Sequence, residues 1–279
     1  MNKPLPSDLD SISQRLVAAR ARAEALSNFP GDIPATLGDA YSVQSASRAR
    51  WQDAVAGWKV GMVPKEYRER LAAERLSGPV FRSLMDHVEP GETRTMAIYD
   101  GGFAAVEAEF VFRIAQTIEP DAREYSDEDL ISLVSGLHVG IEIASSPMAD
   151  VNRLGPCCVV SDFGNNAGLL VGPVVPDWHT LKPDALRVAV SVDGKVMGEA
   201  GSDAIEGGLL QALRFLVTLS AKRSLTLTPG TYVSCGAVTG IHEVTAQSRS
   251  VVDFGAYGVF HVEFAPMRPM PARLAQADG

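Results

Sequence analysis

Val106-Glu107-Ala108-Glu109-Phe110-Val111-Phe112 places an apolar side chain at every second position. That is the period of a β-strand with one face in a core, here Val106, Ala108, Phe110 and Phe112. Glu107 and Glu109 then project side by side from the other face. Like charges at i and i+2 repel unless water or a cation stands between them. A second apolar run, Leu137-His138-Val139-Gly140-Ile141-Glu142-Ile143-Ala144, carries one isolated acid. Val139, Ile141 and Ile143 form its core face. Glu142 lies between Gly140 and Ala144, and such small neighbours leave room above a carboxylate. Together the three glutamates form a candidate all-oxygen site for one hard divalent ion, Mg2+ or Mn2+, with water at the open positions. The plainer alternative is a solvated sheet face and a chance acid, because Glu-x-Glu alone is a weak signal.

Outward from these strands the chain alternates helical and extended patterns. Ser7-Asp8-Leu9-Asp10 has the form of a capping box, ahead of a helix over Ser11 to Leu26 with Ile12, Leu16, Ala19 and Ala23 at helical spacing. Pro30, Gly31 and Pro34 break it, and Thr36 starts a second helix running to about Trp51. Val55 to Val63 begins the β-rich body, and within it Gly57-Trp58-Lys59-Val60-Gly61 alternates as a strand. Lys65 to Leu76 is charged and amphipathic, and Ser77-Gly78-Pro79 ends it. A second capping box, Ser126-Asp127-Glu128-Asp129, opens a helix through about Gly136. Asn152 to Gly168 reads as a long loop, too long to be only a connector. Strands follow over Leu169 to Val175 and Leu186 to Val192, with a hairpin turn at Asp193-Gly194. A helix over Ala204 to Ser220 precedes strands over Thr231 to Ser234, Val251 to Phe254 and Val259 to Phe264. The pattern predicts an α+β protein dominated by a mixed, coiled β-sheet. It divides into an N-terminal helical arm (1–53), a β-rich catalytic domain (54–265) and a frayed tail (266–279).

With 279 residues, 46% hydrophobic, the chain is long enough to bury a full core. A net charge of −9 argues against nucleic acid or an anionic membrane as partner. No apolar run approaches the roughly 18 residues of a membrane helix, and Met1 to Asp10 lacks the form of a secretory signal. Cys157, Cys158 and Cys235 give neither a disulfide framework nor a zinc spacing. These features together predict a soluble, cytoplasmic protein.

Three further groups are candidates for chemistry. Lys59, flanked at i±2 by Gly57 and Gly61, reads most simply as a lysine snorkelling from an edge strand. Its functional reading is a general acid/base whose pKa burial lowers. Thr239-Gly240 and the turn at Cys235-Gly236 can hold a carboxylate on backbone N–H groups, and His242 can shuttle protons. An ordinary glycine turn with an ordinary histidine explains them equally well. His138 reads as a satisfied structural histidine. There is no phosphate loop and no G-x-S-x-G elbow.

Val106-Glu107-Ala108-Glu109, Gly57-Trp58-Lys59-Val60-Gly61 and Gly140-Ile141-Glu142-Ile143 resemble the fumarylacetoacetate hydrolase superfamily. Leu37-Gly38-Asp39-Ala40-Tyr41-Ser42-Val43-Gln44 resembles the N-terminal motif of its 2-oxopent-4-enoate hydratase/4-oxalocrotonate decarboxylase branch. Ser161-Asp162, Asn165-Asn166-Ala167-Gly168, and Gly236 to Gly240 with Asp253, Gly255 and Gly258 also fit. The likeness spans roughly residues 10–265. It implies a β-roll core of the fumarylacetoacetate hydrolase C-terminal type, a homo-oligomer (dimer or higher), and Mg2+ or Mn2+ held by Glu107, Glu109 and Glu142. It further implies a catalytic role for Lys59 and His242, and substrate contacts from Ser161, Asp162, Thr239 and Gly240. The implied substrate is a small 2-oxo or 2-hydroxydienoic acid from aromatic meta-cleavage. The acid is enolised, Lys59 moves the proton during ketonisation, and water adds to the conjugated enone to give a 4-hydroxy-2-oxo acid.

Two departures stand on the substrate side. The branch carries an acid just before the glycine matched by Gly78, where this chain has Leu76-Ser77; it follows its third metal acid with Ser-Arg, where this chain has Ser146-Pro147. Decarboxylation of an oxalocrotonate-like acid needs the same grip without added water. A weakened homologue that binds 2-oxo acids or an active partner is the third expectation. Hydrolysis of a C–C bond ranks below these, since no His-Glu pair follows the Lys59 strand.

Overall fold

The computed structural model describes residues 6–270. The N-terminal helices are α1 (Ser7–Arg22) and α2 (Leu37–Arg50). Then come β1 (Val55–Met62), α3 (Lys65–Leu71), β2 (Arg75–Phe81), β3 (Met85–His87), β4 (Thr93–Ile98) and β5 (Phe103–Ile114). The middle of the chain forms α4 (Asp127–Ser132), β6 (Val134–Ser146), α5 (Pro156–Ser161), β7 (Asn166–Val174), β8 (Arg187–Val192) and β9 (Lys195–Gly201). It closes with α6 (Leu209–Lys222), β10 (Tyr232–Ser234), β11 (His242–Glu243), β12 (Arg249–Asp253) and β13 (Val259–Pro266).

Two mixed sheets carry the fold. One runs β2-β1-β10-β5-β6-β7-β3, with β11 also paired to β5; the other runs β4-β13-β12-β8-β9. Their facing sides share one core, in which Val106, Phe110 and Phe112 of β5 join Val252, Phe254, Phe260 and Val262 of the second sheet. This is the α+β, coiled-sheet architecture expected from the alternation. The opposite face of β5 is buried too. Phe103 and Ala105 meet Ile12, Leu16, Tyr41 and Val160 in a second cluster, so α1, α2 and α5 roof the sheet on the side of Glu107 and Glu109. No helix among the described residues is long and apolar enough to cross a membrane.

Several local expectations need correction. The first helix begins at Ser7, with Pro6 as its N-cap and no side-chain cap, and ends at Arg22; residues 7–10 form its first turn and not a capping box ahead of it. Ser126 and Asp129 do form a reciprocal capping box, on a helix that stops at Ser132. The last helix starts at Leu209, not Ala204. Ser77-Gly78-Pro79 does not break the chain. It lies inside β2, every residue of which is buried. β2 is an edge strand, where proline forfeits no ladder bond it would otherwise make. Gly78 is required because a Cβ there would lie 2.1 Å from the Phe163 carbonyl oxygen. Asn152 to Gly168 is not a loop throughout: it contains the wholly buried α5, then a turn in which Phe163, Gly164 and Asn165 all take positive φ (56°, 68° and 55°). The Asp193-Gly194 hairpin is as read, with φ of 52° and 79° suiting a type I′ turn. Of the expected frayed tail, residues 271–279 lie outside the described residues.

Candidate metal centre and adjoining cavity

Strand register brings the acids together. β5 and β6 run antiparallel with Glu107 opposite Glu142 and Glu109 opposite Gly140. Directly opposed residues share a face, so two acids from β5 and one from β6 meet over a single patch of sheet. One carboxylate oxygen from each lies within 4.8 Å of the others. Ligands at about 2.0–2.6 Å from a shared ion can span that spacing. All three are buried, with exposures of 4%, 0% and 0%. The solvated-face alternative is therefore excluded. The room expected above Gly140 is not vacant: a Cβ there would lie 2.4 Å from Cγ2 of Val111.

Lys59 reaches the same patch from β1. Its Nζ lies 3.2 Å from Glu142 Oε1 and donates at 3.4 Å to Asn165 Oδ1. β1 is interior, between β2 and β10, and Lys59 is 5% exposed. The edge-strand reading of this lysine is thus overturned. So is the expected lowering of its pKa. Burial works against the ammonium, but Glu142, Glu107 and Glu109 outweigh it and hold the group above the usual lysine range.

The carboxylates are partly satisfied. Glu109 Oε2 accepts from Gly236 N–H at 2.8 Å and from the Ser234 hydroxyl. Glu142 Oε1 accepts from Asn166 Nδ2 at 3.0 Å. Glu109 Oε1 and Glu142 Oε2 are buried without any partner. Burial, opposed by Lys59 and reinforced by Glu142, pushes Glu107 up to about 7. Burial, then the charges of Glu142 and Glu107, hold Glu109 far above the usual carboxylate range. Three buried acids against one lysine, with two oxygens lacking donors, are what a site for a hard cation requires.

The patch opens into a cavity of about 370 Å³. Lys59, Glu107 and Asn165 stand in its wall, with apolar Leu76, Val159 and Ile205, and with Arg75. Leu76-Ser77 stands where an acid was expected just before Gly78; of the two, Leu76 lines the cavity, so the wall is apolar there. The cavity wall also includes Gly236 and Gly240. The remaining residues assigned to substrate or catalysis are not brought to it. His242 pairs with Val106 on β5, so its side chain shares the core-facing side of the sheet, away from Glu107. Its Nε2 lies 2.9 Å from Thr239 Oγ1, and burial lowers its pKa. Ser161 donates to the Cys157 carbonyl at 2.7 Å, and Asp162 is paired with Arg20 at 2.5 Å. His138 is a satisfied histidine, its Nδ1 3.0 Å from the Gly172 carbonyl oxygen.

The reading of the sequence gave Asn165 and Asn166 no role in the site, and did not single out Arg20 or Arg75. Arg20, in α1, binds the Asp162 carboxylate, the Asn166 carbonyl at 3.0 Å and the Ser145 carbonyl at 3.2 Å. It thereby pins the segment from which Asn165 reaches Lys59 and Asn166 reaches Glu142. The Asn165-Asn166 pair after a Ser-Asp was the only signal for this arrangement.

The fold is of the fumarylacetoacetate hydrolase type, and it carries a buried acidic trio beside a lysine. The solved structures agree on the fold. The chain is similar to 4-oxalocrotonate decarboxylase from Pseudomonas putida G7 in a complex with magnesium and adipate, at 20% identity and a TM-score of 0.77, covering 94% of this chain and 100% of that one. It is also similar to fumarylpyruvate hydrolase from Pseudomonas aeruginosa in a complex with Mn2+ and pyruvate, at 15% identity and a TM-score of 0.56, covering 78% and 91%. No protein-family model and no curated protein sequence matches the chain.

Proposed function

We propose that this chain is a divalent-metal-dependent enzyme that enolises a short 2-oxo or 2-hydroxydienoic acid. The observation that carries this reading is the set of two unpartnered oxygens, Glu109 Oε1 and Glu142 Oε2, buried within a trio of converging acids at a cavity. Glu107, Glu109 and Glu142 would hold Mg2+ or Mn2+, which supplies a Lewis acid for a carbonyl oxygen. The names of the solved structures of this fold, a decarboxylase bound to magnesium and a hydrolase bound to Mn2+, support the same reading.

Lys59 is the group that moves the proton. Held as an ammonium by the acids, it is a donor and not a base. Once the carboxylates are charge-compensated, burial dominates and its pKa falls towards the range of a reversible acid/base. Asn165 fixes the Lys59 head, and Asn166 fixes Glu142. Leu76, Val159 and Ile205 keep bulk water off the reacting carbons. His242 has no part in this scheme, because it lies on the other face of β5.

Addition of water to a 2-hydroxy-2,4-dienoate is the first form of this chemistry. Decarboxylation of an oxalocrotonate-like acid is the second, and one observation favours it: at Leu76-Ser77, where a further acid to activate water was expected, Leu76 makes the cavity wall apolar. The test is to generate 2-hydroxypenta-2,4-dienoate and 4-oxalocrotonate in situ with Mg2+ or Mn2+, following dienol absorbance and CO2 release. Turnover of either supports the enzyme, and CO2 release separates the two forms. Bound metal with no turnover of either would leave a protein that only binds 2-oxo acids. Lys59→Met should cut kcat by about 100-fold or more while metal stays bound; full kcat would remove Lys59 from the mechanism.

A further inference from the structure

The sheet face that carries the acids continues beyond them. Along β5 it runs Glu107, Glu109, Val111, Arg113, because alternate residues of a strand share a face. Tyr232 stands opposite Arg113, and His138 opposite Val111, so both lie on the same side. Val80 of β2, Val111 of β5, and Leu169 and Val171 of β7 form one buried apolar cluster with Tyr232. β2 and β7 lie towards opposite ends of the sheet, so the sheet curls around this cluster. The glutamates stand on one side of that apolar plug. Arg113 stands on the other, four residues beyond Glu109, roughly 13 Å at about 3.3 Å per residue.

On the Arg113 side there is a second cavity, of about 350 Å³. Arg82, His87, Arg113, Thr228, Thr231 and Tyr232 stand in its wall, and no Asp or Glu does. None of the ion pairs among the described residues includes Arg82, His87 or Arg113. Composition does not account for this, since the chain holds 34 acids against 25 Lys and Arg. A solvated basic face is the plainer reading, and it leaves Tyr232 unexplained. That residue is 7% exposed, its ring centroid 5.9 Å from those of His87 and His138. Its hydroxyl makes no hydrogen bond to any described residue. A tyrosine buried to this degree normally finds a partner for its hydroxyl. Here the cavity is the place where one can stand.

We propose that this second cavity binds a phosphate group, carried by inorganic phosphate or by a small phosphate monoester. Arg82 and Arg113 supply two fixed positive charges, His87 an imidazole, and Tyr232 a hydroxyl donor. Phosphate brings close to two negative charges at neutral pH and acceptor oxygens on several sides. A carboxylate has one charge and would leave one guanidinium uncompensated. The site touches none of the acids of the metal centre, so it stands or falls apart from the enzymatic reading.

The test uses the metal-free full chain at fixed ionic strength, with chloride as the balancing anion. Inorganic phosphate, phenyl phosphate and acetate are titrated by calorimetry. The proteins are wild type, Arg82→Gln, Arg113→Gln, the double variant and Tyr232→Phe. Wild type should bind phosphate saturably at one site per chain, and acetate at least about ten-fold more weakly. Each single arginine variant should weaken phosphate by about ten-fold or more, and the double variant should abolish binding. Tyr232→Phe should weaken it by roughly ten-fold, as loss of a hydrogen bond to a charged group does. Phenyl phosphate binding tighter than phosphate assigns the cavity to an ester; equal or weaker binding assigns it to the free anion. No saturable phosphate binding, acetate binding as tightly as phosphate, or full phosphate affinity in the double variant would overturn the proposal. Near-UV circular dichroism checks folding. If the double variant does not fold, the single variants decide, and unchanged affinity in both overturns the site.

Discussion

Arg20 and Asp162 are as deeply buried as Lys59 and the three glutamates, and the two groups are adjacent along the chain through Asn165 and Asn166. In the first, one cation meets one acid, and the guanidinium donates to both Asp162 oxygens and three carbonyls. In the second, one cation meets three acids, and two oxygens have no donor. The first has nothing left to bind and serves architecture. The second is incomplete without something positive. Burial of charge alone does not mark a site; burial with an unbalanced sum of charges and unpaired atoms does.

The largest expected contrast is in stability. Asp162→Asn should cost about 3–5 kcal/mol, because it leaves the Arg20 charge buried and unpaired. Glu109→Gln in metal-free protein should cost far less or should stabilise, because it removes one of three crowded negative charges. Urea unfolding of both variants measures this, and equal losses would erase the distinction. Next in size is the response to metal. Mn2+ at about 100 times its dissociation constant should stabilise wild type by about 2.7 kcal/mol. Glu109→Gln should show little of this effect; a full effect would remove Glu109 from the site.

The smallest contrast is in pH. The Glu107 carboxyl is raised from 4.5 to about 7 in the folded chain. Between those values the folded state binds more protons than the unfolded one, so metal-free stability should fall as pH rises from about 4.5 to about 7. Mn2+ should remove or reverse that slope, because the bound acids must then be ionised. Asp162→Asn should leave the slope in place. A metal-free slope of the opposite sign would show that the acids are charge-compensated by something other than protons.

The β5 and β6 patterns were legible because a strand repeats every two residues, and each acid stands out within an apolar run, on the face opposite the core. The core face of β5 followed from Val106, Ala108, Phe110 and Phe112 without any tertiary knowledge. Ser77-Gly78-Pro79 misled because glycine and proline normally punctuate. Here proline sits on an edge strand, and glycine admits the backbone of residue 163, 85 positions away. His242 misled for the converse reason. Its proximity in sequence to Gly236 and Gly240 suggested the cavity, and pairing with Val106 turned it to the other face. The direction of the Lys59 shift was misjudged because the burial of a lysine is local, while its counter-charges come from two other strands.

What the sequence determined by itself is the set of faces: which residues of each strand point inward, and hence that Glu107, Glu109 and Glu142 oppose the core. Local alternation is sufficient for that. What only the tertiary structure decided is which faces meet. Glu142 stands against Glu107, and Arg20 holds Asp162, because of pairings between segments up to more than a hundred residues apart. A hydrogen bond or an ion pair needs its two atoms within a few ångströms, and only the register and packing of the whole chain set that distance.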